Sequence, residues 1–249
     1  MKRQAILIGA PGQEDAKKYL HGVEYDIKNY IKFLKSPTGG AWDKSEIISI
    51  KNPDKNTLLN TINKVDTDYL LIVFSGHGAY SLQGQTILAI NRTEYLTLNN
   101  LIAKKVPKQM LIVDACRSFV DSGISGFLGE ELRSFPSRLL KTTARQLFEG
   151  YINRCENGIV VCYSCSVGQT SFDSNDGGYF TTSLLDTTKE WVEKPSTFNI
   201  LPIHHAFTKT KNYIVNYLTD EQTPQLKVNK QRKFWFPFAV RQKNQILGD

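Results

Sequence analysis

The sequence predicts an α/β fold in which helices cover both faces of a mostly parallel β-sheet. Two patterns in its 249 residues predict this fold. Short apolar runs recur without alternating polar residues, as is typical of strands buried on both faces of a sheet. Segments between these runs repeat their apolar residues at helical spacing. Because strands alternate with helices, we expect right-handed crossovers between parallel strands.

Five apolar runs are the predicted strands. The run at 69–74 (Tyr-Leu-Leu-Ile-Val-Phe) is the strongest, and the runs at 5–9, 110–113 and 159–163 are also continuous. The run at 47–50 is weaker. Continuous runs of this length, bounded by polar or turn residues, favour strands in the interior of a sheet.

Five segments have helical periodicity. In the first segment, Val23, Ile27 and Leu34 lie on one helical face. The other four segments lie at 58–65, 98–102, 180–191 and 206–218.

One long segment, 117–157, contains no convincing strand. It carries several glycines and scattered basic residues. A connection of this length is usually functional or disordered, although part of it can be helical. We expect residues 1–249 to form a single domain that includes this segment.

The charge of the chain is basic, with 31 Lys and Arg against 24 Asp and Glu and a net charge of +7. Solubility alone explains such an excess. The alternative is nucleic-acid binding by residues 227–243, which contain basic and aromatic side chains and would bind with a steep salt dependence. The same aromatic residues suit a packed terminal strand, so we do not expect nucleic-acid binding.

Neither membrane contact nor secretion is expected. The apolar run at 5–10 is too short for the core of a signal peptide, and no run approaches 18 apolar residues. Cys162 and Cys165 form a CxxC pair, but no second pair is present to complete a zinc site. These features predict a cytoplasmic protein without a structural metal.

Reactive side chains follow two of the predicted strands. The strand at 69–74 runs into 75–78 (Ser-Gly-His-Gly), and the strand at 110–113 runs into 114–117 (Asp-Ala-Cys-Arg). Ligands in open α/β sheets bind beyond the carboxyl ends of the strands. His77 and Cys116 are 39 residues apart, a spacing that suits one strand–helix–strand unit and places them on neighbouring strands.

Together these two side chains suit nucleophilic catalysis. A neutral imidazole at His77 can accept the proton of the Cys116 thiol and later give it to a leaving amine. The resulting thiolate is the nucleophile. Backbone N–H groups around Gly78 and Cys116 can stabilise an oxyanion. Because no acid is placed to complete a triad, we predict a Cys–His dyad.

The two motifs resemble the His and Cys motifs of caspases and metacaspases. Three further segments are similar to metacaspases and their bacterial relatives, and the resemblance covers roughly 3–230. These segments are 20–26 (Leu-His-Gly-Val-Glu-Tyr-Asp), 169–173 (Gln-Thr-Ser-Phe-Asp) with 178–181 (Gly-Tyr-Phe-Thr), and 222–226 (Gln-Thr-Pro-Gln-Leu). The resemblance implies a caspase-like α/β/α sandwich with a mostly parallel six-stranded central sheet, and cysteine endopeptidase activity.

The resemblance also implies a specificity. Caspases cut after Asp, whereas metacaspases cut after Arg or Lys and hold that side chain with acids. The matching positions here are Asp26, Ser75 and Asp114, and two carboxylates with a hydroxyl can pair a guanidinium. Without the resemblance, a surface role for Asp26 and a capping role for Asp114 would be preferred. Asn91 stands where the family often has another pocket acid, which leaves the choice between Arg and Lys open.

Two further expectations concern calcium and activation. Many metacaspases bind calcium with a cluster of acids, but Asp121 is the only acid that we can place near such a site, so we expect no strong calcium requirement and no other cofactor. In the family, the segment after the nucleophile is often cut during activation, by the protein itself or by an activating protease. The basic residues at which we expect such a cut are Arg133, Arg138, Lys141, Arg145 and Arg154.

A catalytically silent caspase-like interaction module is the alternative function. Such modules normally lose the His or the Cys, and His77 and Cys116 are both present. The preferred interpretation is therefore a peptidase whose partners are protein substrates with Arg or Lys at the cleavage position. A role in bacterial stress or defence is an analogy with relatives.

Overall fold

The computed structural model describes residues 1–14, 19–119, 135, 139–174, 177–195, 197–229 and 235–242. The helices within these ranges are α1 (His21–Lys35), α2 (Lys55–Asn63), α3 (Lys141–Arg154), α4 (Tyr179–Glu193) and α5 (Ile203–Tyr213). The strands are β1 (Arg3–Ala10), β2 (Ile47–Lys51), β3 (Tyr69–Gly76), β4 (Gly78–Tyr80), β5 (Thr86–Ala89), β6 (Tyr95–Thr97), β7 (Lys108–Asp114), β8 (Gly158–Tyr163), β9 (Asp173–Ser174), β10 (Gly177–Gly178), β11 (Ile200–Pro202), β12 (Gln225–Asn229) and β13 (Pro237–Val240).

A six-stranded sheet forms the centre of the molecule, with the strand order β12-β8-β7-β3-β1-β2. All of its neighbouring strands are parallel except β12, which runs antiparallel to β8. The five predicted strands are its five parallel members, which confirms the predicted mostly parallel sheet. Their continuous apolar runs follow from burial on both faces, since every residue of β3 is buried.

Successive side chains of each central strand enter two different cores. On β1, Ala5 and Leu7 pack on one face with residues of α1, α3, α4 and α5, such as Phe33 and Phe148. On the other face, Ile6 packs with α2 and with the short 3-10 helix Leu98–Leu101. Helices therefore cover both faces, as predicted.

Three smaller sheets lie outside the central sheet. β4, β5 and β6 form an antiparallel sheet directly after β3. β9 and β10 form a hairpin, and β11 pairs with β13. The sequence analysis did not predict these sheets, because strands of two to four residues are too short to show a period.

Helix α3 lies inside segment 117–157, which the sequence analysis treated as one connection. Ala144, Phe148 and Ile152 are its buried residues, at the i, i+4, i+8 spacing of one face. Among the helices that the structure describes, none is long and apolar enough to cross a membrane.

Candidate active site

The candidate site lies where β3 and β7 end. These strands are parallel neighbours, and their register places Ser75 beside Asp114. His77 follows β3 directly, and Cys116 lies two residues beyond the end of β7. The expectation that both residues follow neighbouring strands is therefore confirmed.

The absence of a side chain at Gly78 allows the loop that follows β3 to contact the loop that follows β7. A Cβ at this position would lie 2.6 Å from the carbonyl oxygen of Cys116 and 2.8 Å from Cβ of Ala115. Any larger residue would push the His77 loop away from the Cys116 loop. The glycine that follows His77 thus has a packing reason.

One small cavity of about 20 Å³ is lined by the two predicted catalytic residues and the three predicted substrate-binding residues, although Gly78 is not part of its lining. Its lining includes His77 and Cys116 together with the three residues predicted to bind the substrate side chain, Asp26, Ser75 and Asp114. A cavity needs about 10–15 Å³ to hold one water molecule. The space between these side chains is therefore little more than water-sized.

The thiol of Cys116 contacts the backbone of Ser171. The Ser171 N–H donates to Sγ at 3.4 Å, and the Ser171 carbonyl oxygen lies 3.6 Å from the same sulfur. Burial raises the pKa of the Cys116 thiol, the Ser171 N–H opposes this shift, and the charge of Asp114 adds to it. The thiol is thus held in its protonated form, and its use as a nucleophile requires a nearby base.

Two buried acids form the floor of the cavity. Asp26 accepts a 2.6 Å hydrogen bond from the Ser75 hydroxyl and a 2.9 Å bond from the Gly178 N–H. Asp114 accepts 2.7 Å and 2.8 Å bonds from the hydroxyls of Ser171 and Thr181. All of these partners are neutral donors. Burial raises the pKa of Asp26 and of Asp114, and in Asp26 the charge of Asp114 is the next largest cause.

A third acid, Asp173, lines the same cavity. A Cβ on Gly22 would lie 1.8 Å from its Oδ1, so the carboxylate lies directly against the first turn of α1. Burial, aided by the charge of Asp114, raises the pKa of Asp173 to about 7, while backbone N–H groups of Gly22 and Ser174 oppose the shift.

The sequence analysis did not assign Asp173 to the site. Its only signal was its position within segment 169–173, one of those that resemble the family. Because β9 has two residues, no periodicity could indicate where its side chains point.

The β9–β10 hairpin closes the cavity with backbone atoms. A Cβ at Gly178 would lie 2.4 Å from Oδ2 of Asp114, and a Cβ at Gly177 would lie 2.6 Å from Oδ1 of Asp26. Paired glycines allow the hairpin to cover both acids at this distance.

Arg117, next to the nucleophile candidate, is completely buried. Its guanidinium lies 4.1 Å from the ring centre of Tyr163 and donates to the Cys165 carbonyl and to Gln225 at 3.1 Å and 2.9 Å. Arg117 therefore ties the Cys116 loop to β8 and β12. The sequence analysis gave it no role.

Asn91 does not line the cavity. Its side chain donates to the Pro53 carbonyl and to Glu94, and it stabilises the turn between β5 and β6. The position that resembles a pocket acid of the family is therefore a turn residue in this chain.

The predicted cleavage residues fall into two groups. Lys141, Arg145 and Arg154 lie on α3 rather than in an extended connection, which corrects the treatment of 141–154 as part of a linker. Arg145 pairs with Glu46 and Glu149. Arg133 and Arg138 lie outside the described residues, as does Asp121.

Within the described part of the chain, no group of three or more His, Cys, Asp or Glu side chains is arranged to hold a metal ion. Cys162 and Cys165 are buried free thiols. Burial raises the pKa of the Cys165 thiol to about 12 and raises that of Cys162 as well.

Comparison with known proteins shows the family of the chain. The family model described as the caspase domain matches residues 2–235. The crystal structure of Caspase-1 from Spodoptera frugiperda is similar, with a TM-score of 0.59 and 16% identity over 98% of this chain and 91% of that chain. At that identity the likeness concerns the fold, which is caspase-like. None of the curated proteins matches the chain. Because the family model spans nearly all of the sequence, the chain belongs to the caspase-domain family of cysteine peptidases.

Proposed function

We propose that this protein is a cysteine endopeptidase that cuts peptide bonds after Arg or Lys, with Cys116 as nucleophile and His77 as general base. One observation carries the proposal: a single cavity contains the thiol, the imidazole and three acids. Membership of the caspase-domain family supports the proposed roles of Cys116 and His77. The acids account for the choice of a cationic substrate side chain.

The reaction begins with transfer of the Cys116 proton to His77. The thiolate then attacks the carbonyl carbon of the substrate, and the N–H groups of Gly78 and Cys116 stabilise the oxyanion. The intermediate collapses, the peptide C–N bond breaks, and His77 gives its proton to the leaving amine. Water activated by His77 hydrolyses the thioester and restores the free thiol. The raised pKa of Cys116 makes the base necessary.

Specificity follows from the charge of the cavity. Asp26, Asp114 and Asp173 receive hydrogen bonds from the neutral donors described above, so a guanidinium or ammonium group would supply the missing positive charge. Binding of a cation also favours the ionised form of each acid, whose pKa burial raises. A substrate Asp would add a further negative charge and be rejected.

The size of the cavity supports a latent state. A space of about 20 Å³ is small for a guanidinium, and we include in the proposal that the β9–β10 hairpin or the Ser171 loop moves to admit one. We include in the proposal that a cut within 133–154 releases this movement. Lys141 is exposed at the start of α3, whereas the side chain of Arg145 is held in ion pairs.

Two fluorogenic peptides, one ending in Arg and one in Asp, test the proposal. Each is assayed before and after limited tryptic nicking, with the trypsin inactivated by a serine-protease inhibitor before the peptide is added, with and without calcium, on wild type, Cys116→Ala, His77→Ala and the control Cys155→Ala. Cys155 is a buried thiol at the end of α3. We expect release from the Arg peptide alone, loss in the first two variants, retention in the control, and no calcium dependence. No release from either peptide after nicking would support the silent interaction module instead.

A further inference from the structure

Gln222 lies at the entry to β12, far along the chain from the two candidate catalytic residues. Its side chain is completely buried. It belongs to segment 222–226, one of those that resemble the family, yet neither the sequence analysis nor the proposed reaction gives it a role. A buried amide has two N–H donors and a carbonyl acceptor that must all be satisfied.

All three hydrogen-bond partners of Gln222 lie in the loop that follows β8. Its Nε2 donates to the Ser164 carbonyl at 3.1 Å and to Oγ of Ser171 at 3.4 Å. Its Oε1 accepts the Phe172 N–H at 2.9 Å. The neighbouring Thr223 extends the same network, because its N–H donates to Oε1 of Gln169 at 2.8 Å.

The loop that Gln222 holds contacts both halves of the candidate site. The Ser171 N–H donates to Sγ of Cys116 at 3.4 Å, and the Ser171 hydroxyl donates to Oδ1 of Asp114 at 2.7 Å. One residue therefore contacts the thiol with its backbone and a pocket acid with its side chain. Gln222 bonds both the Ser171 hydroxyl and the backbone N–H of the next residue, Phe172.

We propose that Gln222 is a positioning residue that holds Ser171 against Cys116 and Asp114. It sets the reactivity of the thiol and the geometry of the acidic pocket, which is the part of the cavity lined by Asp26, Asp114 and Asp173, without touching substrate. The part that concerns the pocket rests on the proposed Arg/Lys-directed peptidase function. The part that concerns the thiol does not.

The chain offers a matched control at Gln109, which is also buried. Its Nε2 donates to the carbonyls of Ala103 and Val106 at 2.9 Å each, and its Oε1 accepts the Ala103 N–H at 2.9 Å. It makes as many hydrogen bonds as Gln222, but it lies near the amino end of β7, whereas Cys116 follows the carboxyl end. A general cost of removing a buried amide would affect both positions alike.

The experiment measures alkylation of Cys116 by iodoacetamide as a function of pH in wild type, Gln222→Met and Gln109→Met. Because the other three cysteines are buried, we expect the label on Cys116, and mass spectrometry verifies its position. Loss of the Ser171 N–H contact would raise the pKa of the thiol. We expect the alkylation midpoint of Gln222→Met to move to higher pH and its rate at pH 7 to fall about fivefold, the value of one hydrogen bond. The Gln109→Met profile should match wild type.

Alkylation needs no turnover, so the result is independent of peptidase activity. If wild type cleaves neither peptide but Gln222→Met still shifts the alkylation profile, the proposed function fails and the positioning role stands. If wild type cleaves the Arg peptide, Gln222→Met should also raise KM. Identical alkylation profiles for wild type and Gln222→Met, or the same shift in Gln109→Met, would overturn the proposal.

A second variant covers the case in which Gln222→Met does not fold. Gln222→Asn keeps a neutral amide but is one methylene shorter, so it cannot keep the bonds to Ser164, Ser171 and Phe172 together. A slower alkylation rate at pH 7 is again the expected result, and an unchanged rate again contradicts the proposal. Near-ultraviolet circular dichroism establishes that the compared proteins are folded.

Discussion

Ser75 and Asp26 are 49 residues apart, yet the Ser75 hydroxyl donates a 2.6 Å hydrogen bond to Oδ2 of Asp26. The bond joins the end of a central strand to the first half of α1 across a fully buried contact. It orients one carboxylate oxygen of the acidic pocket, while the Gly178 N–H orients the other. Both bonds favour the charged form of Asp26 against its burial.

Replacement of Ser75 by Ala should weaken the binding of a cationic substrate side chain. Asp26 would lose a donor, and its raised pKa would rise further, so less of it would be ionised. Loss of a hydrogen bond to a charged group changes a binding constant by about tenfold or more. We therefore expect KM for the Arg peptide to increase by about that factor. Ser36→Ala is the control. Ser36 directly follows the carboxyl end of α1, away from Asp26, and its hydroxyl donates to the Phe33 carbonyl. An equal change of KM in both variants would contradict the pocket role of Ser75.

Gly178→Ala should impair the site through a steric clash with Asp114. The backbone of Gly178 has an ordinary φ of −64°, so alanine suits its conformation and only the 2.4 Å approach to Oδ2 is at issue. We expect a loss of about 1–3 kcal/mol in the free energy of unfolding and a higher KM for the Arg peptide.

The control for this substitution is Gly150→Ala in α3. A Cβ at Gly150 meets no atom within 4 Å, and helix propensity favours alanine by about 1 kcal/mol. Thermal unfolding should show opposite shifts for the two variants. Destabilisation of Gly150→Ala as large as that of Gly178→Ala would argue against a specific clash.

Asp173 should make stability depend on pH near neutrality. Its pKa of about 7 in the folded protein is above that of an unfolded aspartate. Its contribution to stability is therefore fully present at low pH and is lost as pH rises through about 7. The thermal midpoint of wild type should fall between pH 6 and pH 8 by more than that of Asp173→Asn. Asp26 and Asp114 remain in both proteins, so the difference in slope reports Asp173 together with its charge interaction with these two acids. Parallel pH profiles would contradict this assignment.

Native proteolysis should distinguish the basic residues of α3. Lys141 is exposed at the first helical position, whereas Arg145 is paired with Glu46 and Glu149 one turn further on. Cleavage at Arg145 requires local unfolding of a helix that buries Phe148, so trypsin should cut at Lys141 first. Sequencing of the fragments identifies the cut, and the denatured protein, in which both bonds should be cut equally, is the control. Early cleavage at Arg145 would show that α3 opens readily.

The central sheet was predictable because its signal is local. An apolar run such as 69–74 predicts a strand that is buried on both faces, and this prediction needs no other part of the sequence. Helix α3 was not identified, although the sequence analysis allowed part of its segment to be helical, because only Ala144, Phe148 and Ile152 of its 14 residues are buried. The small sheets were missed because their strands are too short to show a period.

The candidate site was predictable only in part, for a related reason. His77 and Cys116 follow recognisable strands, and a topological rule brings the ends of neighbouring strands together. The roles of Asp173, Arg117 and Gln222 depend on side chains that come from distant parts of the sequence. Arg117, for example, donates to Gln225, 108 residues away. No local pattern contains that information.

The contacts that build the acidic pocket all join distant parts of the chain. Ser171 reaches Asp114 across 57 residues, Gln222 reaches Ser171 across 51, and Gly178 reaches Asp26 across 152. Loop closure over such separations makes folding slow and ties each contact to the completed domain. A nascent chain on the ribosome holds the nucleophile and base long before it holds Gln222. During synthesis, the order of residues itself therefore postpones the assembly of the complete site until the end of the domain has emerged.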